Sequence, residues 1–263
     1  MSKAFKFGMP SLIELNSLDE NLQLCRELGL SFIELNMNLP IFQLPELYKL
    51  SSDPEIELTL HLPEKLNVWD FNDRVRLAYV ETLKEVIAIC EKLRIKIINM
   101  HMNKGIYFTL PDTKVYLFSK YKDVYLEHTR NFAKITSDMI GGTEIAICIE
   151  NTGIYDNSFI AEAVDLLLSY SGFNLTWDIG HDFGSGQKDT AYVQANIDKL
   201  KHVHLHDAIG EQNHLTLGSG DIPAKKILME LQDKVERIVL ETKTIVGLKK
   251  SITYLKKLGM RKE

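Results

Sequence analysis

EIAICIENTGIYDNSFIAEAVDLLLSYSGFNLTWD, residues 144–178, holds a complete structural unit and the start of the next. Two short runs rich in β-branched and aromatic residues, 144–150 and 173–178, each end in a carboxylate, Glu150 and Asp178. Between them, Ile160 to Tyr170 places apolar residues at helical spacing, so the stretch reads strand, helix, strand. The strand period of two sorts the first run by face: Ala146 and Cys148 share the face of Glu150, and Ile145, Ile147 and Ile149 occupy the other.

Working outward, the same kind of run recurs at FKFGM (5–9), FIELN (32–36), IELTLH (56–61), IKIINMH (95–101), KHVHLHD (201–207) and RIVLE (237–241), which brings the total to eight. Helical patterns separate them: Leu22 to Leu28, Val80 to Leu93, Tyr116 to Ile140, Ala191 to Leu200, Ala224 to Leu231 and Val246 to Leu258. LPIFQLPELYKL (39–50) reads as a short or irregular helix. Eight units in 263 residues is about 33 residues each, near the ~30 a βαβ unit needs. Alternating β and α elements call for a parallel sheet, and eight repeats call for closure into a (β/α)8 TIM barrel. An open doubly wound sheet is the alternative, but FGMPSLIEL (7–15) stands where a glycine-rich nucleotide loop would follow the first strand. No linker or composition step divides the chain, so residues 1–263 are expected to form a single domain.

With 31 Lys and Arg against 36 Asp and Glu, the net charge of -5 gives no overall basic footprint for nucleic acid. The three cysteines, Cys25, Cys90 and Cys148, form no CxxC and suit a reducing compartment. No apolar run reaches the ~18 residues of a membrane span, and the opening lacks a signal-peptide stretch. The expectation is a soluble, cytoplasmic protein without a membrane partner.

What each run ends in carries the chemistry. His61, His101, Glu150, Asp178 and Glu241 close the third, fourth, fifth, sixth and eighth runs, and His202, His204 and His206 line the seventh. All histidines except His128 lie in or just after such ends. In a barrel these groups converge at the C-terminal mouth. Three carboxylates meeting there require a positive partner, for which a divalent metal suffices. Glu150, Asp178, His204 and Glu241 suit Mn, Mg or Co; adding His61, His101, His181 and His214 turns the set toward Zn and opens a second site. His202 lies deeper in its run, and His206 beyond His204, which suggests support or substrate contact. Trp69, Phe71, Tyr107 and Phe108 are candidates to shape the pocket, whereas Trp177 has the parity opposite to Asp178 and is expected against the helices.

The segments HLP (61–63), HMNKG (101–105), IENTG (149–153), WDIGHDF (177–183), HVHLHD (202–207), NHLTLGSGDI (213–222) and LETK (240–243) resemble, in order and position, the xylose isomerase-like barrel superfamily. That superfamily joins sugar and sugar-phosphate isomerases and epimerases to apurinic endonucleases of the endonuclease IV type, and the likeness spans essentially the whole chain. It implies that Glu150, Asp178, His204 and Glu241 hold a shared metal, that His61 and His101 match a pair holding a further zinc with Glu150, and that His181 and His214 match two ligands of a third. Two departures count against the endonuclease branch. Gln212 stands where its third zinc has an aspartate, and Glu64 stands where an aromatic enters the damaged duplex. The loop NMNLPIFQL (36–44) also lacks Arg and Lys.

The resemblance implies an isomerase or epimerase acting on a small sugar or polyol. Glu150 and Glu241, three strands apart, would exchange a proton on opposite faces of the substrate while the metal polarises its carbonyl. His181 and His206 are candidates for hydroxyl contacts, Lys243 and Lys104 for a phosphate or carboxylate, and Trp69 for the sugar face. Dehydration of an inosose or dehydroshikimate type shares the same enolate. An endonuclease and a non-catalytic carbohydrate-binding barrel are the other readings, and a homo-oligomer is expected by family analogy.

Overall fold

A computed structural model of the protein describes residues 4–53 and 55–261. Its strands are β1 (Lys6–Pro10), β2 (Phe32–Asn36), β3 (Glu57–His61), β4 (Ile97–His101), β5 (Tyr107–Leu110), β6 (Thr113–Tyr116), β7 (Ala146–Glu150), β8 (Phe173–Asp178), β9 (Leu200–Leu205), β10 (Asp207–Ile209), β11 (Gln212–Leu215) and β12 (Arg237–Leu240). Eight of these close a parallel barrel in the order β1-β12-β9-β8-β7-β4-β3-β2, sealed where Phe7 of β1 pairs with Ile238 of β12. This is the (β/α)8 barrel that the strand count demands. The remaining four form two antiparallel hairpins, β5–β6 and β10–β11.

The strand parity divides the interior as the alternation requires. Ile145, Ile147, Ile149, Val203 and Leu205 join the main apolar core, which includes helix residues such as Leu83, Ile87 and Val164. Ile97, Ala146 and Cys148 form a separate small apolar cluster on the parity of Glu150. Above it the same parity turns polar: Glu34, Thr59, Asn99, Thr176 and His202 are all buried. Each apolar side chain fully removed from water contributes roughly 1.5–3 kcal/mol, so the sheet–helix layer carries the stability that lets the polar axis exist.

The long helix Asp73–Leu93 has its start fixed by Asn72, whose side chain accepts from Arg74 N, and its end by Arg94 in the left-handed region at φ 58°. One expectation needs correction. The helical pattern begins at Lys122, not Tyr116, because residues 107–116 fold as the β5–β6 hairpin, followed by a single turn at Leu117–Lys120. The seventh run is also shorter than KHVHLHD suggests: β9 ends at Leu205, and Asp207 starts a separate ladder.

Candidate functional site

The strand ends deliver the candidate ligands to one place. His204 of β9 is fully buried, and its Nδ1 lies 3.4 Å from Glu150 Oε1, 3.3 Å from Glu241 Oε2 and 3.8 Å from Asp178 Oδ2. Asp178 Oδ2, His204 Nδ1 and Glu241 Oε2 are buried atoms without a hydrogen-bond partner. Native interiors satisfy nearly all such groups. Three unsatisfied donors of one electron-pair-rich type facing a common point fit a divalent cation. Burial opposes charge on His204, yet Glu150, Glu34 and Glu241 raise its pKa well above the ordinary imidazole value. A proton there stands in for the missing positive charge.

Around this centre the carboxylates are held by their other atoms. Asp178 caps the short helix Ile179–Gly184, with Oδ1 accepting from His181 N at 2.6 Å. Its backbone is clamped by Asn151, whose Oδ1 accepts from Asp178 N at 2.7 Å and whose Nδ2 donates to Asp178 O at 3.1 Å. Glu150 Oε2 accepts from Asn99 Nδ2, and Asn99 Oδ1 in turn accepts from Thr176 Oγ1 at 2.6 Å. Glu241 Oε1 pairs with Lys243 Nζ at 2.6 Å.

His61 and His101 meet beside Glu150. Their Nε2 atoms are 3.2 Å apart and lie 3.4 and 3.0 Å from Glu150 Oε2. His61 Nδ1 donates to the Leu62 carbonyl at 2.7 Å, so in the neutral ring Nε2 keeps its lone pair and aims it at this point. Burial works against a charged His61, but the Glu150 carboxylate prevails and lifts its pKa to about 9. Glu150 is thus shaped as a bridge, with one oxygen toward His204 and the other toward the two imidazoles.

The expected third set is assembled only in part. His181 and His214 approach each other at 5.0 Å between ring centroids, and Gln212 is exposed on β11. His206 lies beside both, with its ring 4.3 Å from that of His214 and 5.4 Å from that of His181. His206 Nδ1 accepts from His214 N at 2.8 Å and lies 3.2 Å from the Asp207 carbonyl oxygen, while Nε2 lies 3.2 Å from Asp178 Oδ1. One ring nitrogen from each of His181, His206 and His214 lies within 4.8 Å of the others, a grouping that could hold an ion. His214 adopts φ 53° to reach its place, and burial pushes its imidazole down to about 4.

The structure locates the remaining expected residues and corrects the expectation for Trp69. His206 is fully buried, and a Cβ on Gly180 would fall 1.9 Å from its Cε1, so only glycine admits the ring. Trp69 is fully buried between Tyr125 and Phe132 and contributes no surface to the mouth. Lys104 sits over the Tyr116 ring at 5.7 Å. Lys243 is already engaged by Glu241. Trp177 lies on the helix side as its parity requires, donating Nε1 to Asp182 at 3.1 Å. Sequence reasoning missed Asn99, Asn151 and above all Glu34, which is buried on β2 with Oε2 accepting from His202 Nε2 at 2.9 Å and Oε1 at 3.0 Å from His204 Nε2. The alternation in FIELN, with Ile33 and Leu35 on one parity and Glu34 on the other, held the signal.

Residues 22–258 match the model of the xylose isomerase-like TIM barrel family. The chain belongs to that family. An uncharacterized protein of Methanocaldococcus jannaschii is 26% identical over 218 residues, covering 80% of each chain. Among solved structures, a D-tagatose 3-epimerase-like protein superposes with a TM-score of 0.73 at 24% identity, covering 97% of each chain. An IolI protein with a bound zinc atom superposes at 0.71 and 17% identity, covering 97% of this chain and 96% of that one. At these identities the superpositions establish the barrel and leave the chemistry to the site. Among the described residues, no helix is long and apolar enough to cross a membrane.

Proposed function

We propose that the protein is a divalent-metal-dependent isomerase or epimerase of small sugars or polyols. The observation that carries the reading is the convergence of Asp178 Oδ2, His204 Nδ1 and Glu241 Oε2, buried and unpartnered, beside Glu150 Oε1. These four residues would hold the ion, in a donor set of three carboxylates and one imidazole that suits Mn, Co, Mg or Zn. When bound, the ion supplies Lewis acidity that lowers the pKa of the C–H next to a chelated carbonyl.

The chain's own residues divide the rest of the work. Glu150 and Glu241 stand three strands apart around the barrel and flank His204 from two sides, so one removes a proton and the other returns it on the opposite face of the substrate. Lys243 pairs with Glu241, and the half-buried His181 would meet a substrate hydroxyl. Dehydration would follow from the same proton abstraction if a β-hydroxyl left before reprotonation. The paired imidazoles of His61 and His101 on Glu150 Oε2 favour a second ion, for which zinc is the matching metal. The superfamily's DNA-repair chemistry finds no support in Gln212, Glu64 or the loop at 36–44.

The test is elemental analysis of protein purified without chelator, followed by C–H exchange in heavy water over a panel of ketoses and inososes. Deuterium incorporation that depends on the metal is the expected result, and a product peak lacking one water would assign the dehydratase outcome. Absence of metal from every preparation would overturn the reading.

A further inference from the structure

The His204 imidazole is fully buried at the centre of the proposed metal site, and it can serve only through a nitrogen free of its proton. Nδ1 lies 3.3–3.8 Å from three carboxylates, and Nε2, which makes no aligned hydrogen bond, lies 3.0 Å from Glu34 Oε1 as its nearest carboxylate oxygen. Glu34 is 2% exposed, and its second oxygen accepts from His202 Nε2 at 2.9 Å, with Thr59 Oγ1 at 3.5 Å. With imidazole nitrogens at 2.9 and 3.0 Å from its two oxygens, the Glu34 carboxylate is the accepting partner of both rings.

We propose that Glu34 is a positioning residue for metal binding: it draws the single N–H of neutral His204 to Nε2 and thereby presents the Nδ1 lone pair to the ion. The inference deepens the metal-dependent reading above and rests on it. Without Glu34 the neutral ring is free to place its proton on Nδ1, where Glu150, Asp178 and Glu241 all accept, and the imidazole is then lost as a ligand. His202 grips the opposite oxygen of Glu34, so the three residues form one buried chain running from the barrel interior to the site. A carboxylate hydrogen-bonded to a ligating histidine raises its basicity and fixes its orientation, and removing such a partner typically weakens metal affinity by about 10–100-fold.

The experiment loads wild-type protein and the Glu34→Gln and His202→Asn variants with zinc, measures affinity by chelator competition, and reads the ring ¹⁵N shifts of His204. Wild type is expected to show zinc on Nδ1 and the proton on Nε2. Glu34→Gln is expected to bind zinc about 10–100-fold more weakly, whereas His202→Asn, which leaves Glu34 and His204 in place, should lose less affinity and keep the same ¹⁵N pattern. Zinc on Nε2 in wild type overturns the inference whether or not the variants fold, and so does equal affinity in Glu34→Gln. A wild-type protein that binds no zinc or other divalent metal overturns the underlying reading as well, so the two failures are distinct.

Discussion

The two ends of the barrel handle charge in opposite ways. At the end where the strands begin, Lys6 pairs with Glu57 and with Glu236 at 3.0 Å, Arg237 reaches Glu57 at 2.6 Å, and Lys96 meets Glu144 at 2.7 Å. These groups are partly exposed, and each cation has its anion within the chain. At the mouth and just below it, Glu150, Asp178, Glu241 and Glu34 are buried together, and Lys243 is the one Lys or Arg paired with any of them among the described residues. The first end is complete as folded. The second is balanced only by protons on histidine or by a cation from outside, which is what distinguishes a stabilising charge network from a binding site.

The sharpest way to break this contrast is to neutralise one carboxylate at each end. Glu241→Gln or Glu150→Gln should slow substrate C–H exchange by about 10²–10⁴-fold, the usual range for loss of a general acid or base, while Glu57→Gln leaves exchange at the wild-type rate. Equal losses at both ends would mean the mouth is not the site of chemistry.

The next effect concerns pH in metal-free protein. His61 titrates at about 9 when folded, above the ~6.5 of an unfolded imidazole. Its contribution to stability is therefore fully present below pH ~6.5 and is lost as pH rises through 9, on the order of 1–3 kcal/mol. Thermal denaturation of metal-free protein should show the melting temperature falling across that window, and His61→Gln should flatten the fall. An identical slope in wild type and variant would remove His61 from the charge balance of the mouth.

Smaller still is the cost of Glu57→Gln itself. Partly exposed pairs are worth about 0.2–1 kcal/mol, so urea denaturation should register a loss within that range, reduced further by added salt. A loss of several kcal/mol would show that the lower end is more tightly coupled than its exposure suggests. The least change is expected from thiol reagents. Burial pushes the Cys25 and Cys148 thiols up to about 12, and Cys90 is buried too, so the native protein should give no fast reaction while denatured protein titrates all three.

The candidate ligand set was readable in the sequence because strand ends are rigid addresses. Glu150, Asp178, His204 and Glu241 each follow an alternating run, and the alternation fixes both the face and the height of the side chain. What lay beyond the strand ends was less legible. His206 continues the parity of His202 and His204, but β9 stops at Leu205, and the turn carries the ring beneath Gly180. Trp69 and the β5–β6 hairpin lie in loops, where tertiary packing and not periodicity decides position. Glu34 went unread for another reason: it sits mid-strand in β2, where a lone carboxylate looks like an exposed edge until its partners from β9 are in place.

The seam between β1 and β12 also governs how the protein comes into being. Lys6 pairs with Arg237, joining the first barrel strand to the eighth, so the ring cannot close before β12 has been synthesised. Glu241 follows directly on that strand. A nascent chain that stops short of Glu241 therefore carries at most three of the four candidate ligands on an open sheet, and the set is complete only once residue 241 has been made.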